Sequence, residues 1–492
     1  AYSRGKPCWR GILVFVLAGM LVFWVHGILH LEYIYGTSTR DIGVSSSTDT
    51  PPFNRERGDV GFAQSEQGQG DYFRTLLAPF RVRDFCLLFS GQMISTLGDM
   101  FYAVALPWLM LSSGHTAQEL GIVLAAYGVP RVATLLVGGA LSDRWGPRWV
   151  MLLADCARAV LVGVLCVLVI GGYTGVWQLC AVAVPLGAFT GLFLPAYYAM
   201  LPEVLSDEQL QAGNALNSSS IQLAILVGSA GAGIVVSRLQ PAAALAVDAL
   251  TFVVSAVTLA MMQVGRKSYV DKDFDKDEES EGNVKAQLIA PANGAFAPDI
   301  TFWQLARSWR LFQMAFLVLI VGNLTFYGLF EVALPTLAYS TFAAGASGYG
   351  WLVASFGAGA LLGGLAAGGL GRVRRRGMLM LALIMALACW YTFVPFAGGL
   401  AGAAVLIGLA GLTNGMLTVI AFTVVQQQAP RHLLGRIMAV FMVASLGLYP
   451  FSVALAGFVT VHFGPVVFFP ISASLMLLAA VFGWLQREIR VL

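Results

Sequence analysis

The sequence predicts an all-α membrane protein of twelve spanning helices arranged as two related six-helix halves. Three observations carry this prediction. Hydrophobic residues make up 58% of the 492 and charged residues 11%, against about 45–50% and 25% in soluble domains. A soluble chain could not hide so much apolar surface, so the bilayer is the solvent. Twelve apolar runs follow Asp71, each close to the ~20 residues a spanning helix needs. The second six runs repeat features of the first about 228 residues later.

In chain order, residues 1–70 come first. Residues 11–31 are an apolar run flanked by Arg4, Lys6 and Arg10, and residues 37–70, rich in Ser, Thr, Gly, Gln and Pro, read as a disordered linker. The apolar runs then fall at about 85–111, 119–141, 149–170, 176–200, 212–236 and 242–264 in a first half, 71–264. Residues 265–308 interrupt the series with Asp271-Lys272-Asp273-Phe274-Asp275-Lys276-Asp277-Glu278-Glu279 and read as a soluble linker. The second half, 309–492, places its runs at about 311–339, 347–369, 378–396, 400–424, 436–459 and 465–486.

Charge placement sets the topology. The loops before helix 1 and after helices 2, 4, 6, 8, 10 and 12 hold twenty Lys and Arg, and the opposite loops hold one, Arg238. Basic loops stay in the cytoplasm, so both ends of the twelve-helix body and the 265–308 linker are expected there. The run at 11–31 conflicts with this, because its own basic flank would leave helix 1 starting outside. A mis-assigned start, or a helix lying on the membrane, would remove the conflict.

Internal repetition is specific. Ala105-Leu106-Pro107 recurs as Ala333-Leu334-Pro335, and Pro202 as Pro430, both at an offset of 228. The segment Gly121 to Gly128 recurs as Gly350 to Gly357 at 229, and Arg144 and Arg148 fall opposite Arg372 and Arg376. Two parallel halves joined by a linker are a recurring architecture with a ligand site between them near the midplane.

Other chemistries find no support. The six cysteines lack disulfide-framework or zinc spacing. Gly357-Ala358-Gly359 follows no strand and reads as helix packing, and no Walker A sequence occurs, so no cofactor is expected. Basic residues follow a membrane face and not one patch, which speaks against nucleic acid. Gly345-Ala346-Ser347-Gly348 echoes an intramembrane protease but has no buried histidine to serve it, so a membrane enzyme is the lesser alternative.

Between helices 2 and 3 lies Gly139-Ala140-Leu141-Ser142-Asp143-Arg144-Trp145-Gly146-Pro147-Arg148. It resembles the signature Gly-x-Leu-Ala-Asp-Arg-x-Gly-Arg-Lys of the major facilitator superfamily at Gly139, Leu141, Asp143, Arg144, Gly146 and Arg148, and departs from it at Pro147. Motif, helix count, repeat and linker together resemble that superfamily over about 71–490. Leu88-Phe89-Ser90-Gly91-Gln92, Gly98-Asp99, Ala105-Leu106-Pro107-Trp108, Pro202-Glu203, Asn214-Ala215-Leu216 and Asp248-Ala249-Leu250 look like its branch of macrolide-efflux and enterobactin-exporter proteins. In helix 5, Ser229 stands where superfamily antiporters often carry the proline of a Gly-Pro pair.

The resemblance implies a secondary transporter working by alternating access in the cell membrane, functional as a monomer, with Gly139, Asp143, Arg144, Gly146 and Arg148 as a cytoplasmic latch. It points to proton-driven efflux of an amphipathic small molecule such as a drug, a macrolide or a siderophore-like compound; uptake or uniport of a small solute by the same fold is the alternative. Charges inside helices cost at least a few kcal/mol each and need a reason. Asp99 in helix 1 and Glu331 in helix 7 fall on helices that line the central cavity of this fold. A desolvated carboxyl can exchange a proton near neutral pH, so both are candidates for proton coupling or for a cationic substrate. Asp155 and Arg158 can pair at i,i+3, Asp99 can pair with Arg131, and Asp248 lies in helix 6. Gln92, Tyr102, Gln222, Asn323, Tyr327 and Asn414 are further candidate cavity residues, with Tyr327 opposite Asp99 in the repeat.

Overall fold

Described here from a computed structural model are residues 77–263, 310–369, 375–428, 441 and 444–486. The expected 1–70 segment and the 265–308 linker lie outside the described residues.

Among the described residues, ten helices are long and apolar enough to cross a bilayer, and the bent helix Ala117–Trp145 makes an eleventh. The longest, Glu208–Met261, has 54 residues. At about 1.5 Å per residue it would run ~80 Å, far beyond the ~30 Å hydrocarbon core. It is interrupted at Gln240, whose φ of 71° and ψ of 165° are not helical, and Pro241 follows. Proline fits the first turn of a helix because its missing N–H would have no partner there. The segment is therefore two crossings, and the total among the described residues is twelve.

The crossings are α1 Arg83–Ser112, α2 Ala117–Trp145, α3 Pro147–Ile170, α4 Val176–Val204, α5 207–239 and α6 241–261. In the second half they are α7 Arg310–Ser340, α8 Gly345–Gly369, α9 Arg376–Phe396, α10 Leu400–Gln428, α11 Ala444–Phe463 and α12 Pro465–Leu485. Large apolar side chains such as Val160, Val167, Leu250, Val405 and Leu478 are more than half exposed, as lipid-facing residues are. Trp145, Trp149, Trp177, Trp351 and Trp484 lie exposed near helix ends, where the amphipathic indole suits the interface.

Packing follows the repeat. In the first half α1 packs on the α5–α6 pair, α2 on α4, and α3 on α4 and α6; in the second α7 packs on α11 and α12, α8 on α10, and α9 on α10 and α12. Two seams join the halves, α2 with α11 and α8 with α5. Both seams close on glycines. A Cβ on Gly121 would stand 2.7 Å from the Val453 carbonyl oxygen and 3.3 Å from Gly457 Cα, and a Cβ on Gly233 3.0 Å from the Ala346 oxygen and 3.1 Å from Gly350 Cα. Gly121 and Gly350 are the first residues of the two repeat copies, so each copy makes the same backbone contact with the opposite half. Small residues allow such approach where no hydrophobic drive separates helix from lipid.

These contacts lie toward the end carrying the 113–116 and 341–344 connections. There Trp108 of α1 and Tyr339 of α7 stack edge to face with ring centroids 5.3 Å apart. At the other end, which carries the charged decapeptide, a Cβ on Gly139 would meet nothing within 4 Å.

The decapeptide is mostly helical. Helix α2 continues through Asp143 and Arg144 to Trp145, a single Gly146 with φ of 85° makes the turn, and Pro147 opens α3. Gly139 thus sits inside a helix. Pro147, the departure from the signature, occupies the position where proline costs no hydrogen bond.

Candidate functional site

Helix α7 is irregular where it matters. Ser452 of α11 donates its hydroxyl to the Leu324 carbonyl at 2.6 Å and accepts the Gly328 N–H at 2.7 Å. In a regular helix that N–H would bond to that carbonyl. An inserted side chain of this kind distorts the ladder, and residues Leu329–Ala333 directly after it form a π-helical turn. The Phe330 carbonyl within the turn accepts from the Tyr349 hydroxyl at 2.9 Å. Gly328 is fixed by crowding, since a Cβ there would stand 2.6 Å from the Ser452 carbonyl oxygen and 2.9 Å from the Phe468 ring. Glu331 is in the middle of this turn, a setting frequent at functional sites.

Glu331 accepts a hydrogen bond from the Tyr449 hydroxyl of α11. Tyr449 also contacts the ring of Tyr327 on α7, with centroids 4.9 Å apart, and that of Tyr127 on α2 at 6.2 Å. Tyr127 in turn lies 6.3 Å from Tyr102 of α1. Above these rings is Arg131 of α2, its guanidinium carbon 5.8 Å from the Tyr127 centroid and 6.0 Å from that of Tyr449. Two elements of each half thus meet in one aromatic and ionisable cluster. Arg131, Tyr102, Tyr327 and Glu331 all keep partial exposure.

Arg131 does not pair with Asp99. The ion pairs among the described residues are His115–Glu119 and Arg158–Asp155. The Arg131 guanidinium instead faces the tyrosine rings, and its charge acts on Tyr127, Tyr327, Tyr449 and Glu331. Asp99, next to Gly98 on α1, feels the charges of Arg158 and Arg131 without touching either as an ion pair.

A second polar cluster lies inside the first half. Arg158 donates to Asp155, and Ser255 of α6 donates to the other Asp155 oxygen at 2.6 Å. The guanidinium is sandwiched by Phe193 of α4 and Phe252 of α6, 4.3 and 4.4 Å from their centroids. Both charged groups are almost fully buried, so this pair ties α3, α4 and α6 together. Asp248 is also buried, with Oδ1 lacking a hydrogen-bond partner and packed 2.8 Å from where a Gly98 Cβ would be.

The other predicted residues divide. Asn323 donates to the Leu319 carbonyl at 2.9 Å and accepts from Ser445 at 3.1 Å, so its amide links α7 to α11. The side chains of Gln92, Gln222 and Asn414 are half-buried and make no hydrogen bond among the described residues. Asp143 and Arg144 are exposed at the end of α2, and Asp143 takes no bond from Arg144 or Arg148. Arg148 reaches α6 instead, donating from Nε to the Leu259 carbonyl at 2.9 Å and from Nη2 to the Ala260 carbonyl at 2.8 Å. Those are last-turn carbonyls of a helix, where a cation is favoured. Tyr127, Tyr449 and Ser452 were not among the sequence candidates. Tyr127 sits inside the repeated segment, a position that could have flagged it. Tyr449 and Ser452 carry no sequence signal beyond being polar in an apolar run.

Among the described residues no group of His, Cys, Asp and Glu could hold a metal ion. The model of the Major Facilitator Superfamily matches residues 88–337, just over half of the chain. The multidrug efflux pump Tap of Mycobacterium tuberculosis is 26% identical over 381 residues, covering 76% of this chain and 86% of that protein. Macrolide efflux protein A of Streptococcus pyogenes is 22% identical over 302 residues, 61% of this chain and 70% of that protein. Among solved structures, a bacterial homologue of the iron transporter ferroportin in an inward-facing state has a similar fold, with a TM-score of 0.56 at 16% identity over 82% of this chain and 98% of that one. By fold, repeat and family match, this multi-pass membrane protein is not an enzyme but a transporter, and it belongs to the major facilitator superfamily.

Proposed function

We propose that the protein exports an amphipathic small molecule across the cell membrane by alternating access, as a monomer, in exchange for protons carried by Glu331 and Asp99. The observation that supports this reading most is the cluster of Arg131, Tyr102 and Tyr127 from one half with Tyr327, Glu331 and Tyr449 from the other. A site divided between two bodies is loaded or disrupted when they rock, which is how alternating access works. Tyrosine rings supply apolar faces with hydroxyl edges, and these suit an amphipathic ligand. The relatives named as efflux pumps support the direction of transport.

The asymmetry of basic loops supports a cytoplasmic decapeptide end. In that orientation the glycine seams and the Trp108–Tyr339 contact close the outside end. The decapeptide then acts as a latch in the other state, with Arg148 holding α3 to α6 and leaving Asp143 free to engage the second half.

The test is flux. Purified protein is reconstituted in liposomes containing a pH-sensitive dye, and a panel of amphipathic drugs is added under an imposed pH gradient. Drug-dependent proton movement that Glu331→Gln abolishes is expected. Drug or solute flux along its own gradient without proton movement would favour uniport, and proton and solute moving together would favour uptake. Absence of any flux would refute the reading.

A further inference from the structure

We infer that the ligand of this central site presents an anionic group to Arg131, held between the rings of Tyr127 and Tyr449. This inference rests on the transport reading and names the substrate class within it.

The argument starts from an incomplete set of partners. A guanidinium carries five N–H donors and stays charged. Among the described residues that of Arg131 has no ion pair and donates no hydrogen bond. Its side chain is 14 residues into a 29-residue spanning helix, where an unpaired charge is expensive. The contrast within the same molecule is sharp. Arg158, equally deep in the membrane, is buried against Asp155, with two aromatic faces around it. Arg158 is finished as a structural pair. Arg131 has the aromatic faces and lacks the anion.

The groups that face Arg131 from the packed elements do not supply that anion. From α2 comes Tyr127, from α11 Tyr449, and from α7 Tyr327 and Glu331. Glu331 already accepts from Tyr449 and lies outside ion-pair distance of Arg131. Asp99 of α1 contributes a longer-range field and also makes no ion pair. Arg131 remains partly exposed, so its guanidinium is not sealed off from a ligand. A carboxylate, sulfonate or phosphonate matches the fork of the guanidinium, and an aromatic or aliphatic body matches the rings beside it. In the proposed orientation an exported anion is also pushed outward by an inside-negative membrane potential, so its export draws on the potential as well as on exchanged protons.

The test uses three probes of one skeleton: 1-pyrenebutyrate, 1-pyrenebutanol and 1-pyrenebutylamine. Their binding to purified wild-type protein is measured by equilibrium dialysis, with empty micelles as the reference. The butyrate is expected to bind at least about tenfold more tightly than the alcohol, the scale of a charge-assisted hydrogen bond. Arg131→Gln is expected to abolish the preference for the butyrate over the alcohol. Arg131→Lys, which keeps the charge and loses the fork, should retain part of the preference and guards against misfolding of the glutamine variant. Equal binding of all three, preference for the amine, or a butyrate preference that survives in Arg131→Gln would overturn the inference and leave the transport reading intact. Binding of none of the three would overturn the inference, and the flux assay separately decides the transport reading.

Discussion

Replacing Gly350 with alanine adds one methyl group at the α5–α8 seam. That Cβ would lie 2.8 Å from Gly233 Cα, 3.1 Å from Gly233 N and closer still to the Ser229 carbonyl oxygen. All three neighbours are backbone, so no side chain can rotate away and the helices must separate. Overpacking of this kind costs about 1–3 kcal/mol. The cost falls on the state in which this end is closed and vanishes when the seam opens. The closed state should therefore lose about five- to 150-fold in population against the open one. Spin labels on Ser113 and Thr341, both exposed and on opposite halves, would report this by pulsed dipolar spectroscopy as growth of a longer distance. Gly163→Ala is the control, because a Cβ there meets nothing within 4 Å. Gly121→Ala at the α2–α11 seam, 2.7 Å from the Val453 oxygen, should act in the same direction. Identical distance distributions for Gly350→Ala and Gly163→Ala would refute the reasoning that backbone contact at the glycines holds this end shut.

Further predictions follow from the two polar clusters and the charge pattern. Asp155→Asn should leave Arg158 buried without a counter-charge at a cost of about 3–5 kcal/mol, seen as lower expression and a lower unfolding temperature in detergent. Asp155→Leu with Arg158→Met should recover most of that loss. Ser452→Ala removes the group that bridges Leu324 and Gly328; leaving buried backbone partners unmade costs about 1–3 kcal/mol, readable by thermal unfolding, unless α7 straightens and displaces Glu331. In that case stability holds while proton-dependent flux falls. Glu331→Gln should abolish uphill flux yet leave ligand binding measurable, and Asp99→Asn is the parallel variant on α1. Cysteines placed near Thr174 and Thr341 should label with impermeant thiol reagents from outside the cell, and cysteines near Arg144 should not.

Much of the fold was legible because the bilayer imposes a length and a composition on each crossing. The seam between α5 and α6 shows how far this goes. The sequence reading ended one apolar run at 236 and began the next at 242, and the chain turns at Gln240 before Pro241. Arg238 and Pro241 interrupt the apolar pattern there, so hydropathy registers the turn. The decapeptide is legible as a charged boundary between two apolar runs, but its polarity does not reveal that helix α2 carries the charges through its last turn to Trp145. The site was less legible for a physical reason. Whether Arg131 meets Asp99 or the tyrosines depends on how two halves dock, and a single helix's periodicity holds no information about that. Asp155 and Arg158 share one helix face, so their spacing alone was enough. Ser452 sits in an apolar run, and its effect on α7 arises only from the crossing of α11, more than a hundred residues away in sequence.

The most direct test of the central claim is a reversible cross-link between the halves. Cysteines at Trp108 and Tyr339, whose rings stack 5.3 Å apart at the closed end, can be joined by a short reducible bis-methanethiosulfonate in a background lacking the native cysteines. Flux in liposomes is measured before linking, after it, and after reduction. Alternating access predicts that linking stops transport, that ligand still binds from the decapeptide end, and that reduction restores the original rate. Full-rate transport by fully linked protein would contradict the account.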